Sequence, residues 1–170
     1  IPLGFWRSVG HSYNAFAVEC FIDEIAAATR RDPAMLRQSL LAAAPRHLGV
    51  LNLALAKAGP RPDGAGRGRG VAVHASYGSF VAMAADVRVA GAGAVAVERI
   101  VCAVDCGFAV HPDGVIAQME GGIVFGLTAA LRGGIVFDAG AAANSNFHDY
   151  PLLRFHEMPA VEVHLINGAP

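Results

Sequence analysis

Residues 102–127 limit the fold more than any other part of the chain. They open as a run of small and β-branched residues, typical of a strand, and the run is broken at residues 111–114, His-Pro-Asp-Gly. The following residues predict a helix on which Gln118, Gly122 and Gly126 share one face, because they are spaced i, i+4 and i+8. Each glycine inside a helix costs about 1 kcal/mol relative to alanine. The pattern therefore predicts a close approach to this backbone, either by a packed helix or strand or by a large polar ligand that Gln118 binds.

The order of hydrophobic patterns along the chain predicts an α+β fold. Ser12 or Asn14 can cap a helix that runs to about Arg31, and Asp32-Pro33 starts a second helix. A third helix is predicted over residues 46–58. Strand patterns follow over residues 71–76, 79–90, 94–105 and 159–166. This order predicts N-terminal helices followed by a mainly antiparallel sheet, packed with the one long glycine-rich helix.

Length and composition indicate one folded unit. With 170 residues, 54% of them hydrophobic and 16% charged, the chain can bury a core of its own. We expect a single domain over residues 1–170, made of a helical part (1–58), a glycine-rich linker (59–70) and a strand-rich part (71–170). The chain starts without methionine and stops abruptly, which predicts an internal fragment of a longer protein.

Charge and residue spacing argue against several functions. A formal net charge of −1 gives no electrostatic footprint for nucleic acid or an anionic membrane. No apolar run reaches the roughly 18–20 residues of a membrane span, so none is predicted. The three cysteines and seven histidines show no metal-ligand spacing, and no metal site is predicted. The glycine-rich run 64–70 follows a helix and opens a strand, the reverse of a nucleotide-binding loop, which disfavours that function.

Two segments outside the glycine-rich helix could contribute to a binding site. Arg7 follows two aromatic residues and precedes Gly10 and a helix start, so its guanidinium and nearby backbone N–H groups could bind an anion. An arginine stacked on Trp6 at the surface explains the same residues equally well. Residues 144–151 form a polar and aromatic loop, which suits either a site or a turn stabilised by Asn and Asp side chains.

Several segments, taken together and in order, resemble one protein family. They are WRSVGHSYNAFAVECFIDEIA, DPAMLRQSLL, RGVAVHASYGSF, VCAVDCGFAVHPDGVIAQMEGGIVFGL and NSNFHDYPLLRFHEMPAVEVHLI. The chain resembles the molybdenum-cofactor-binding large subunit of the xanthine dehydrogenase/aldehyde oxidase family, of the isoquinoline 1-oxidoreductase β-subunit type. The resemblance covers nearly the whole chain, and the AVDCG…QMEGG…FGL and SNFHDYP segments are its most specific parts.

The resemblance implies an oxidoreductase. It implies hydroxylation beside nitrogen in an N-heteroaromatic ring, or oxidation of an aldehyde, with water supplying the oxygen and two electrons leaving through molybdenum. The implied cofactor is molybdopterin cytosine dinucleotide with molybdenum, and the implied partner is a small subunit with two [2Fe–2S] clusters. A bacterial member of this family would lie in the cytoplasm or the periplasm, and the sequence does not choose between them.

The resemblance also assigns site residues by position. Arg7 and its neighbours match the family loop beside the molybdenum centre, and Gln118 matches the glutamine of the Q-x-E-G motif that contacts the pterin cofactor. Val9 stands where purine-hydroxylating relatives carry an aromatic residue, so a purine stacked there is not expected. The expected cofactor-binding residues are Arg7, Ser8, Gly10, Gln118, Gly121 and Gly122, and the expected substrate-pocket residues are Trp6 and Val9. No catalytic residue and no metal ligand is assigned within the chain.

Three departures from the family pattern stand out. His111 replaces the usual Asn before Pro, and Asn144 replaces the usual Gln before SNF. The family's GGxGE segment, whose glutamate is the catalytic base, does not appear before the end of the sequence. We therefore expect a fragment that is inactive by itself and does not hold the cofactor. The alternative is a non-catalytic α+β scaffold or interaction domain, in which the glycine face packs against a neighbouring domain.

Overall fold

The computed structural model describes residues 4–168, with the side chain of Ala92 excepted. This part of the chain contains N-terminal helices, a sheet and one long helix, as the sequence predicts. The helices are α1 (His11–Ala28), α2 (Pro33–Leu40), α3 (Pro45–Ala58) and α4 (Pro112–Leu131). The strands are β1 (Arg67–Ser76), β2 (Ser79–Val89), β3 (Val95–Asp105), β4 (Phe137–Asp138), β5 (Ala141–Ala142) and β6 (Ala160–Leu165).

The main sheet is mixed but mostly antiparallel, with the strand order β1-β2-β3-β6. β1 pairs antiparallel with β2, and β2 pairs antiparallel with β3, with one register shift between Asp86 and Val87. β6 lies parallel to β3, so the chain between them must cross over the sheet. α4 lies in that crossover connection. These features confirm the predicted α+β class and add one parallel strand to it.

Two element starts differ from the sequence expectation. α1 begins at His11 behind Gly10, which has no side chain to bond the first turn, so neither Ser12 nor Asn14 is the cap. β1 begins at Arg67, inside the expected linker, because its pairing with β2 extends to Arg88. The end of the glycine-rich run therefore belongs to a strand.

The two faces of the sheet are covered by different helices, and β3 shows the alternation that allows this. Val101 and Ala103 pack in the core with α3, whereas Ile100 and Cys102 pack with α4. From α4, Ile123 is buried in the second cluster, with Met119 and Leu127 beside it. Burying a side chain such as Ile123 stabilises the fold by about 1.5–3 kcal/mol. One face of α4 is thus fixed on the sheet, and its other faces are left for different contacts.

A buried arginine joins α1 and α2 to the sheet edge. The guanidinium of Arg37 is 1% exposed and donates to the Glu19 carboxylate at 2.8 Å and to the Asp23 carboxylate at 2.6 Å. The same Glu19 oxygen accepts the backbone N–H of Val73 on β1 at 2.9 Å. Since β1 is the edge strand, this contact also satisfies a backbone donor that has no neighbouring strand.

α4 requires a correction to the expectation that no segment could span a membrane. By length and composition alone, Pro112–Leu131 is long and apolar enough to do so, although such a criterion is also met by helices of soluble cores. Only 11% of its apolar window is buried within the described structure. The face with Met119, Ile123 and Leu127 packs on the sheet, and much of the remaining surface is open.

Candidate functional site

The start of α4 is fixed by a histidine cap. His111 precedes Pro112, the first helical residue, and its Nδ1 accepts the backbone N–H of Gly114 at 2.7 Å. This is the bond that an Asn cap would make at the same place, so the departure from the family pattern preserves the helix start. Gly114 suits the cap because a Cβ there would lie 2.6 Å from His111 Nδ1.

The glycine face of α4 is open in the described part of the chain. A Cβ placed at Gly121, Gly122 or Gly126 would meet no atom within 4 Å. Gln118, at the N-terminal end of the same face, is exposed, and no residue in the range 4–168 forms a hydrogen bond with its side chain. The helix or strand that could have explained these glycines is therefore not supplied by residues 4–168, and the ligand alternative stands.

The N-terminal segment reaches the same helix. The rings of Trp6 and Phe125 lie 5.1 Å apart, centroid to centroid, at an interplanar angle of 31°. The Arg7 guanidinium lies over the Phe125 ring, 5.2 Å from its centroid. Arg7 therefore stacks on Phe125 rather than on Trp6, and it lies beside the glycine-rich helix. The binding of an anion by Arg7 stays a prediction.

These contacts enclose a cavity of about 260 Å³ beside the glycine face. Gly121 forms part of its wall together with Trp6 and Arg7, and the roles expected for these residues stay predictions. The lining is mostly apolar, with one cation and two hydroxyl groups. The lining residues are Trp6, Arg7, Gly121, Val124, Phe125, Thr128, Ala129, Tyr150, Leu152 and Leu153.

The turn that carries Arg7 is strained. Ser8 and Val9 have φ values of 73° and 51°, and a β-branched residue in the left-handed region is a genuine outlier. Such strain costs about 1–3 kcal/mol per residue and collects at functional sites. Gly10 keeps the turn close to α1, because a Cβ there would lie 3.1 Å from the Tyr13 hydroxyl oxygen. The cavity lining includes none of these three residues, so their assignment to the site stays a prediction.

The polar loop 144–151 forms another wall of the cavity, and its polar side chains build the loop itself. Asn144 accepts the backbone N–H of Val136 and donates to the backbone oxygen of Asp149. The Asp149 carboxylate accepts the backbone N–H groups of Asn146 and Ser145, and these bonds hold the pKa of that carboxyl below its usual range. The loop therefore presents Tyr150 to the cavity rather than offering its own carboxylate.

The remaining reactive side chains lie away from the cavity. Burial raises the pKa of the Cys102 thiol to about 12, so this cysteine is a neutral core residue at physiological pH. Asp105 forms a bidentate ion pair with Arg46, with distances of 2.7 and 2.8 Å. His11 and His74 lie 3.0 Å apart between ring nitrogens and connect α1 to β1. Within residues 4–168, no group of three or more His, Cys, Asp or Glu side chains could hold a metal ion.

Sequence reasoning missed Phe125, whereas Tyr150 belongs to the loop 144–151 that it offered as a candidate for a site. A signal was present for Phe125, because it follows Gln118 at i+7 and Gly121 at i+4, on the same helical face. No sequence signal placed the loop of Tyr150 beside α4, since only the tertiary fold brings the two together.

A known protein family matches most of this chain. The family described as the molybdopterin cofactor-binding domain matches residues 55–159. The chain belongs to this family. This match confirms the predicted resemblance to the molybdopterin cofactor-binding domain of the xanthine dehydrogenase family.

Two relatives resemble this chain along nearly all of its length. The β-subunit of isoquinoline 1-oxidoreductase from Brevundimonas diminuta is 34% identical over 172 residues, and a nicotinate dehydrogenase subunit from Pseudomonas putida is 32% identical over 185 residues. Both alignments cover 98% of this chain, but only 22% and 16%, respectively, of those proteins. The chain therefore spans about a fifth of the length of these relatives.

A solved structure shows the same fold. The Cu,Mo-CO dehydrogenase in its carbon monoxide-reduced state superposes on 52% of this chain and on 11% of its own chain. The TM-score is 0.50 and the sequence identity is 23%. At this identity the likeness concerns the fold alone.

The residues of the site suit part of a molybdopterin cofactor. Its phosphate is anionic, and the Arg7 guanidinium is a permanent cation beside the cavity. Its pterin carries polar edges, for which an amide such as that of Gln118 offers both donors and an acceptor. The open glycine backbone leaves room for a bulky group to approach α4.

Proposed function

We propose that this chain forms one wall of the molybdopterin site in a molybdenum hydroxylase that oxidises N-heteroaromatic compounds or aldehydes. The observation that carries the proposal is the open glycine face of α4 beside the cavity that holds Arg7. The substrate class is supported by the names of the two relatives, which act on isoquinoline and nicotinate. When bound, the cofactor supplies the two-electron redox chemistry.

The chain's own residues would bind and orient the cofactor. Arg7 provides positive charge in a partly enclosed, mostly apolar cavity, where an anion is held more strongly than in bulk water. Gln118 hydrogen-bonds the pterin, and Gly121 and Gly122 allow it to lie close to the helix. Ser8 and Gly10 shape the turn beside Arg7, and Val9 and Trp6 face the substrate side.

Proton transfer would be carried out by residues outside this wall. Among the described residues, neither a carboxylate nor a histidine lines the cavity, so this part of the chain offers no carboxylate or imidazole base there. We therefore propose that the chain alone does not turn over substrate. We further propose molybdopterin cytosine dinucleotide as the cofactor form and a small [2Fe–2S] subunit as the electron-accepting partner.

The test is the molybdenum content of a complete large subunit that contains this chain. Gln118→Leu would leave cofactor groups unpaired, which costs about 1–3 kcal/mol and lowers cofactor affinity about tenfold. Gly122→Val would place a branched side chain on the open face and lower the molybdenum content further. Gly68→Val is the matched control, because Gly68 lies on β1 and a Cβ there also meets no atom within 4 Å.

Metal analysis of the purified variants distinguishes the enzyme from the alternative scaffold. A loss of molybdenum in the two α4 variants, with the control unchanged, supports the cofactor site. Equal molybdenum content in all three variants contradicts it and favours a scaffold whose glycine face packs against protein.

A further inference from the structure

We propose that Phe125 is a positioning residue that holds Trp6 and Arg7 against the glycine face of α4. The inference rests on the proposed function, because it assigns to Phe125 the placement of the cation that faces the cofactor. Phe125 itself would act only through Arg7 and Trp6.

The geometry makes Phe125 the point where the N-terminal segment is attached to α4. Its ring contacts the Trp6 ring at 5.1 Å and the Arg7 guanidinium at 5.2 Å, both measured to centroids. Contacts of these two kinds together shift the ratio of docked to undocked segment by about tenfold. Trp6 is still 49% exposed and its neighbour Phe5 is 91% exposed, so burial alone does not hold this segment in place.

The position of Phe125 on α4 explains why this attachment matters. Phe125 lies one turn beyond Gly121 and two turns beyond Gln118, on the same face of the helix. A side chain that stacks on Phe125 is therefore delivered to the end of the glycine face. The Arg7 guanidinium is placed there without any hydrogen bond to α4, by the face of an aromatic ring.

The other end of the segment has a separate attachment. His11, the first residue of α1, contacts His74 on β1 and lies edge-on to the ring of Tyr77 at 4.9 Å. Between the two attachments the chain makes a tight turn, in which the N–H of Val9 donates to the oxygen of Trp6 at 3.0 Å. Losing the Phe125 contact would therefore free Trp6 and Arg7 while leaving α1 in place.

Trp6 provides a direct measurement, because it is the sole tryptophan of the 170-residue chain. In Phe125→Leu and Phe125→Met, the Trp6 emission should shift to longer wavelength. Its Stern–Volmer constant for acrylamide should rise by up to about twofold, since the ring is already 49% exposed when docked. Phe125→Tyr keeps the ring and should restore both values.

Ile123→Val is the control for nonspecific loosening of α4. Ile123 is buried against the sheet and belongs to a different face, so its substitution weakens the helix packing without touching Trp6. The proposal is supported if the Trp6 signal changes in Phe125→Leu and Phe125→Met but not in Ile123→Val or Phe125→Tyr. It is overturned if both ring-removing variants leave the Trp6 signal unchanged, or if Ile123→Val changes it equally.

These measurements need no cofactor, which keeps the two proposals separable. An unchanged Trp6 signal removes the role of Phe125 and leaves the cofactor site intact. Unchanged molybdenum in the Gln118 and Gly122 variants removes the cofactor site and leaves the attachment of the segment to Phe125.

Discussion

Alanine on the open face of α4 should raise the free energy of unfolding of the chain and lower the molybdenum content of the complete large subunit. We consider Gly122→Ala, a change that adds one methyl group to the middle of a helix. A Cβ at this position meets no atom within 4 Å, and the same holds at Gly121 and Gly126. Nothing in the described structure therefore opposes the intrinsic preference of a helix for alanine.

The magnitude follows from helix propensity alone. Glycine is about 0.8–1.0 kcal/mol less favourable than alanine in a helix interior, so each substitution should raise the free energy of unfolding by about that amount. For a chain of this size, 1 kcal/mol corresponds to a rise in Tm of about 2–4 °C. The triple substitution at Gly121, Gly122 and Gly126 should add about 2–3 kcal/mol, since each glycine contributes separately.

Gly133 provides the opposite control in the same region. A Cβ there would lie 3.0 Å from the Cα and backbone oxygen of Ala129 and 3.1 Å from the Tyr150 hydroxyl oxygen. Gly133→Ala should therefore destabilise the chain by about 1–3 kcal/mol through overpacking. Urea unfolding of the 170-residue chain, followed by circular dichroism, measures all of these changes.

The refuting result is a loss of stability in Gly122→Ala. It would mean that the face is packed in solution, and the inference of an open ligand surface would fail. In a complete large subunit, the same substitution should lower the molybdenum content, because the added methyl group occupies space that the cofactor needs. A variant that is more stable but holds less molybdenum would identify these glycines as retained for binding at the expense of stability.

Three further changes test the supporting structure. Arg37→Met should lower the free energy of unfolding by about 3–5 kcal/mol, because the nearly buried Glu19 carboxylate loses its partner; a urea midpoint shift worth under about 1 kcal/mol would contradict this. The hydrogen bonds from Arg46 and from the N–H of Gly107 hold the pKa of Asp105 below its usual value. The ionised Asp105 carboxylate therefore stabilises the fold above its unfolded pKa of about 3.9, and this stabilisation is lost as the pH falls through the folded pKa. Asp105→Asn should therefore flatten the fall in urea midpoint below about pH 5, and an unchanged acid slope would count against the ion pair. His111→Ala should lower the free energy of unfolding by about 1 kcal/mol and His111→Asn by much less, because the Asn side chain can cap the helix and that of Ala cannot. Thermal unfolding measures both, and equal losses of stability would exclude the capping role of His111.

The fold could be predicted wherever a local pattern was decisive. Asp32 followed by Pro33 predicted the start of α2, and the structure has Asp32 as the cap and Pro33 as the first helical residue. The strand pattern over residues 94–105 predicted β3, which the structure has at Val95–Asp105. The parallel placement of β6 beside β3 could not be predicted, because the pattern of a strand does not state which neighbour it will have or in which direction.

In the candidate site, too, the features set by a local pattern could be predicted and those set by tertiary contacts could not. The spacing of Gln118 and the glycines defined one face of a helix, and the structure leaves that face open. Trp6 and Arg7 reach this helix through a tertiary contact with Phe125. No sequence pattern around Trp6 or Arg7 predicts that contact. The roles of Ser8, Val9 and Gly10 stay predictions, since these residues do not line the cavity.

The parallel strand β6 has a consequence for the order in which the chain folds. β1, β2 and β3 are joined by short turns, so they can pair early, as local contacts do. β6 pairs with β3 only after the chain closes the long loop from Arg99 to Ala160, and that closure carries a larger entropic cost. α4 and the loop that carries Tyr150 both lie within this loop. We therefore expect the wall of the cavity to be assembled late, on a meander that is already formed.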